Sequence, residues 1–181
     1  MKYVVRILLL AVIGLLAYLT YNTVATDVRY AQEVIEEEQK VIDKLKIIRD
    51  AQLAYREVNG EFTADFDTLI NFMKNGELKV LIEYGDRDDS TTVFQQKIEF
   101  VSVRDSLFRD VDIDNIRYVP GYDTLQFVMK AGEIEKNNVP VPTFQVTDPK
   151  PFSKERQEEN NPLRVGNLYD ADYTGNWSGN R

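Results

Sequence analysis

The chain predicts an α+β fold in which an N-terminal transmembrane helix continues into a long amphipathic helix packed on a small antiparallel sheet. Three observations predict it. An uncharged apolar run, Ile7 to Leu19, stands near the N-terminus. Val34, Val41, Ile48 and Tyr55 then recur every seven residues, which is a helical repeat. After Gly76 the apolar period changes to two and the connections shorten, as strands require.

Residues 1–6 form a basic start, with Lys2 and Arg6 favouring a cytoplasmic N-terminus and a translocated remainder. Ile7 to Leu19 is too short to cross a bilayer, which takes roughly 17–25 residues, and continuing to Ala25 supplies the length. The predicted anchor is therefore 7–25, with Tyr18 and Tyr21 suited to the interface. A cleaved secretory signal is the alternative, with the cut after Ala25 and Thr23 at the minus-three position. Both readings place the bulk outside the cytoplasm.

Residues 26–60 read as the long helix, its stripe widened by Ile42, Leu45, Ala51 and Val58 and stopped by Gly60. Glu36 and Lys40 are spaced for an ion pair on its polar face. A coiled coil is disfavoured because Glu38 and Gln52 are polar where the seam needs apolar residues. Residues 61–147 complete an α+β periplasmic domain. Thr63 or Asp65 caps a second helix carrying Phe66, Leu69, Ile70 and Met73, and Gly76 ends it. Strands are expected from Leu78 to Tyr84, Lys97 to Arg104, Ile116 to Val119 and Thr124 to Lys130, with a loop at 86–90. Val139 to Val146 is extended, and Pro140 and Pro142 assign it to a sheet edge. Residues 148–181 read as a flexible tail, with Leu163 to Leu168 and Trp177 as a docking segment for the domain or a partner.

Composition excludes several chemistries. No cysteine and no histidine are present, so disulfides, thiolate catalysis, serine–histidine triads and histidine-held zinc or haem are absent. Thirty acidic against 22 basic residues leave a net charge of −8, which disfavours nucleic acid and anionic lipid headgroups. Asp110, Asp112 and Asp114 have the spacing that opens a calcium loop. Asn115 and Gly121 then stand where that loop needs glycine and glutamate, so a wet strand or loop face is the expectation. Carboxylate pairs for glycoside hydrolysis arise in any chain this acidic and identify nothing. No catalytic residue, cofactor or metal is expected.

The text Ile47 to Tyr55 followed by Asn59 to Thr63 is similar to the end of the first helix in type IV pilins and pseudopilins. The glycine-containing processing site and Thr-Leu-Ile-Glu run of those proteins have no counterpart between Met1 and Leu19. Lys44 to Phe72, Leu163 to Gly166 and Gly175 to Trp177 resemble a family of single-anchor envelope proteins of Bacteroidota. That resemblance implies a layout and carries no activity. It also implies short O-glycan acceptor sites at Asp67-Thr68-Leu69, Asp89-Ser90-Thr91, Asp105-Ser106-Leu107 and Asp123-Thr124-Leu125.

The functional expectation is a non-enzymatic, membrane-anchored structural or scaffolding subunit of a bacterial envelope machine. A released binding module starting at Thr26 is the alternative. The expected partners are the lipid bilayer through 7–25 and other envelope proteins, a second copy among them. Val34, Val41, Leu45, Leu163, Val165, Leu168 and Trp177 are the candidate contact residues, because exposed apolar side chains mark interfaces.

Overall fold

The structure, a computed structural model, describes residues 2–84 and 95–177. It is α+β. Helix α1 runs unbroken from Lys2 to Asn59, 58 residues or about 87 Å at roughly 1.5 Å each. The predicted anchor and the amphipathic helix are thus one rod, with no break at Ala25–Thr26. Gly60 stops it with a left-handed φ of +83°, its N–H donating to the Arg56 carbonyl at 2.7 Å. No described side chain before Val41 is buried. From there Val41, Ile42, Leu45, Ile48, Ala51, Gln52 and Ala54 enter the core. Lys40 pairs with Glu37 at 2.6 Å rather than with Glu36.

Helix α2 (Phe66–Asn75) buries the predicted Phe66, Leu69, Ile70 and Met73. Asp65 is its cap, accepting from the Thr68 amide at 2.8 Å and the Thr68 hydroxyl at 2.7 Å. Strands β1 (Glu77–Tyr84) and β2 (Gln95–Ser102) form a two-stranded antiparallel sheet, and helix α3 (Val103–Leu107) follows at once. Ser102 accepts from the Asp105 amide, which turns the chain into helix where the strand was expected to run to Arg104. The 86–90 loop and the Asp89-Ser90-Thr91 site lie outside the described residues.

Residues 116–119 are not a strand. They form turns with a single bridge, Tyr118 to Gln126, and the Lys44 ammonium ties them to α1 by donating to the Asn115 and Tyr118 carbonyls at 2.8 and 2.7 Å. Strand β3 is Val128–Lys136, later than expected, with Phe127 and Met129 buried and Leu125 packed beside them. Asn137 and Asn138, both at positive φ, turn it into β4 (Val139–Thr147). The three-stranded sheet has the order β3-β4-β5, so β4 is central and not an edge. Its prolines are tolerated because β5 (Arg164–Gly166) pairs only with Gln145 to Thr147. Among the described residues only β3 is a strand neighbour along Pro140 and Pro142, and the Pro142 carbonyl accepts from the Tyr173 hydroxyl at 2.9 Å.

The segment after Asp148 corrects the expectation of a flexible tail. Helix α4 (Lys154–Glu158) and β5 lie in it, and the chain returns along β5 through a Val165–Gly175 bridge. Asn176 locks that return. Its N–H donates to the Arg164 carbonyl, and its side-chain amide donates to the Pro162 carbonyl and accepts from the Arg164 amide, all within 3.1 Å. Leu163 and Val165 are fully buried, and Tyr173 stacks on Phe144 with ring centres 5.9 Å apart. The composition is polar on average, yet these few apolar residues are spaced to fill one seam of the core.

Candidate functional site

Four of the predicted contact residues are spent inside the chain. Val41 and Leu45 on α1 and Leu163 and Val165 in the tail belong to one buried cluster with α2, β3 and β4. Their apolar character is satisfied by the protein's own core, so they offer no surface to a partner. Trp177 is half-buried over Gly175 and packed against that cluster. Leu168 is half-buried near Gly132, and its carbonyl accepts from the Thr143 hydroxyl at 3.4 Å. Val34 is half-buried in a small hollow with Glu38, Ser153 and Arg156. The tail residues therefore dock on the domain itself, the first of the two options the sequence left open.

What the tail builds is a clamp on α1. The Tyr30 hydroxyl accepts from the Lys154 amide at 3.0 Å, and the Phe152 ring stacks on Tyr30 with centres 6.4 Å apart. The Lys154 ammonium sits 5.3 Å from the Tyr30 ring centre, a cation–π distance. About two helical turns further along, Arg156 donates to Glu38 at 2.7 Å, both side chains being about four-fifths buried (20% and 17% exposed). Ser153 caps α4 and turns the chain so that Arg156 faces α1. A hollow of about 250 Å³ lies beneath, lined by Glu37, Val41, Val119, Tyr122, Asp148 and Phe152 among others.

Asp148 is the chemically unusual group there. It is 1% exposed, and its Oδ1 accepts from the Lys150 amide at 2.9 Å. Burial pushes its carboxyl above the ordinary aspartate range, and the nearby Glu38 charge adds to this. Lys44, which holds the 115–118 turns, is pulled below the ordinary lysine range by its own burial. Lys150 and Tyr122 line the same hollow, the Lys150 ammonium 4.7 Å from the Tyr122 ring centre, and at this size the hollow falls below the roughly 300–1,000 Å³ of a typical ligand pocket.

The aspartates at 110–114 do not converge. Asp114 pairs with Lys74 and Asp112 accepts from the Asn115 side-chain amide at 2.7 Å, while Val111 and Ile113 turn inward. Among the described residues no group of three acidic side chains is placed to hold a metal ion. Thr68, Ser106 and Thr124 of the proposed glycan sites are exposed.

Two further apolar surfaces stand out among the described residues, and sequence reasoning did not single them out. The first is the outer part of the β1–β2 hairpin, where Leu81, Ile98 and Phe100 are exposed. Its signal in the sequence is that Ile98 and Phe100 fall on one parity of the strand and Val101 on the other. The second is an open groove of about 540 Å³ between α1 and α3, lined by Leu53, Leu78, Leu107 and Phe108 with Asp50, Arg56 and Glu57 at its rim. Helix α1 itself is long and apolar enough to cross a membrane, and none of its most apolar stretch is buried. Comparison with known proteins finds no matching family model, no matching curated protein and no matching solved structure.

Proposed function

We infer that the protein is a non-enzymatic, single-pass scaffolding subunit of a bacterial envelope machine, with its N-terminus cytoplasmic and its domain periplasmic. The observation that carries this reading is α1. Its apolar half is bare on every side, while its polar half is the central strut of the domain. A stretch so apolar is stable in water only when covered, and a bilayer covers all sides of a single helix. Lys2 and Arg6 supply the orientation. The pilin-like layout read from the sequence agrees with a subunit that is held by one helix and works through contacts.

Alkaline extraction of membranes carrying the full chain, followed by intact-mass measurement, tests the reading. The expected result is a chain that stays with the bilayer until detergent is added and retains Met1 to Ala25. A product free in the alkaline supernatant, or one that begins at Thr26, overturns it.

A further inference from the structure

We propose that β2 pairs edge to edge with β2 of a second copy of this chain, the two strands running antiparallel about a two-fold axis at Ile98. The proposal deepens the scaffolding reading by naming a partner. Alkaline extraction scores the anchor independently of it, so the two fail separately.

Two strands alone make a marginal sheet in water; a third strand or a covering element normally supports them. The β1–β2 sheet has two strands, and Leu78 is the residue by which it packs on the core. Farther out, side chains alternate between two faces, and each face carries exposed apolar groups. Val80 is on one face; Leu81, Ile98 and Phe100 are on the other, with Ile98 50% and Phe100 67% exposed. Among the described residues, Lys97 to Val101 make no backbone bond outside the ladder with β1. An open strand edge of this kind is a template for another strand.

The residues along β2 say which strand fits. With Ile98 facing Ile98 of the second copy, Lys97 of each copy stands opposite Glu99 of the other, and opposite charges across a strand pair attract. Within one chain Lys97 and Glu99 already meet at 2.6 Å on the same face, so a second copy converts one exposed pair into a ring of four charges. The same register extends the apolar row. Leu81 lies opposite Ile98 inside the hairpin, so Leu81 and Ile98 of both copies line up across four strands. A lipid surface or an unrelated protein has no reason to match this self-complementary order.

The chain lacks cysteine, so engineered thiols report without background. Ile98→Cys and, separately, Phe100→Cys are made in the full chain and oxidised mildly in membranes and in detergent. Directly opposed residues of antiparallel strands have Cα atoms about 4.5–5.5 Å apart, within disulfide reach. Two copies of residue 100 are displaced by four residues, on the order of 13 Å along the strands, and are out of reach. The expected result is a disulfide dimer for Ile98→Cys at least tenfold above that for Phe100→Cys. Adding Lys97→Glu or Glu99→Lys alone lowers the Ile98→Cys dimer, and adding both restores it. Equal cross-linking at 98 and 100 overturns the proposal, as does indifference to the charge swaps. So does a chain that stays monomeric while Ile98→Ser/Phe100→Ser releases a different bound protein.

Discussion

Replacing Leu163 by alanine separates a tail that is part of the core from a tail that is an arm for partners. Leu163 is 1% exposed, and its carbonyl accepts from the Asp148 amide at 2.9 Å, so the backbone is held even when the side chain is cut. Three buried carbons at about 0.8 kcal/mol each give roughly 2.4 kcal/mol of lost transfer energy. The cavity left behind raises the total into the range of about 2–5 kcal/mol. For a folded unit of this size about 3 kcal/mol corresponds to roughly 6–12 °C in Tm. The chain offers a local reporter, because Trp177 is its one tryptophan and packs against the same core. Tryptophan emission and near-ultraviolet circular dichroism, followed on heating in detergent, are expected to shift together by that amount in Leu163→Ala. Leu168→Ala, only half-buried, is expected to shift both by less than half as much. If Trp177 alone melts early while the domain signal holds, the tail is a separate arm and the reasoning fails.

Gln52→Leu removes an amide that accepts from the Thr63 N–H at 3.2 Å and donates to its carbonyl at 2.6 Å. Leaving two partly buried backbone groups unpaired is expected to cost about 2 kcal/mol net of the added apolar burial; Gln39→Leu on the exposed face, measured by the same denaturant titration, is expected to change little. Asp148→Asn keeps an oxygen for the Lys150 amide and removes the charge. The folded carboxyl holds its proton more tightly than the unfolded one, so its stabilisation is complete below the ordinary value near 3.8 and is lost as pH rises through the raised value. The variant should therefore melt higher than the native chain at pH 7–8, with the gap closing toward pH 3.5; a constant gap contradicts the assignment. Arg156→Ala breaks a pair that is mostly buried and should cost roughly 1–3 kcal/mol, with trypsin cutting faster at Lys154. Gly166→Ala should fail to fold, since its φ is +77° and a Cβ there collides with the Phe144 carbonyl oxygen.

The helices were legible because their signals are local and redundant. Phe66, Leu69, Ile70 and Met73 share one face by spacing alone, and Asp65 has the chemistry of a cap. The β4 assignment went wrong because a proline forbids one hydrogen bond, not a whole side of a strand; β5 joins only past the prolines. Asn137-Asn138 marks a tight hairpin turn and would have placed β3 correctly. Glu38 and Gln52, the polar residues that spoil the heptad, are spoken for by distant partners, Arg156 at 118 residues' separation and Thr63 at 11. Such pairings depend on topology and leave no periodic trace. The tail was underestimated for the same reason, since Leu163, Val165 and Tyr173 count little in an average but fit one seam.

The Tyr30 contact fixes how little of α1 stands free between the domain and the apolar run. It meets α1 five residues past Ala25, about 7.5 Å along the axis at roughly 1.5 Å per residue. A loose tether would let a globule drift and swivel over the lipid; here bracing at Tyr30 and Glu38 leaves almost no unsupported shaft. If the apolar half lies in a bilayer, as proposed above, a push on the globule arrives there as a tilt of the helix, and the molecule behaves as a lever with a stiff neck.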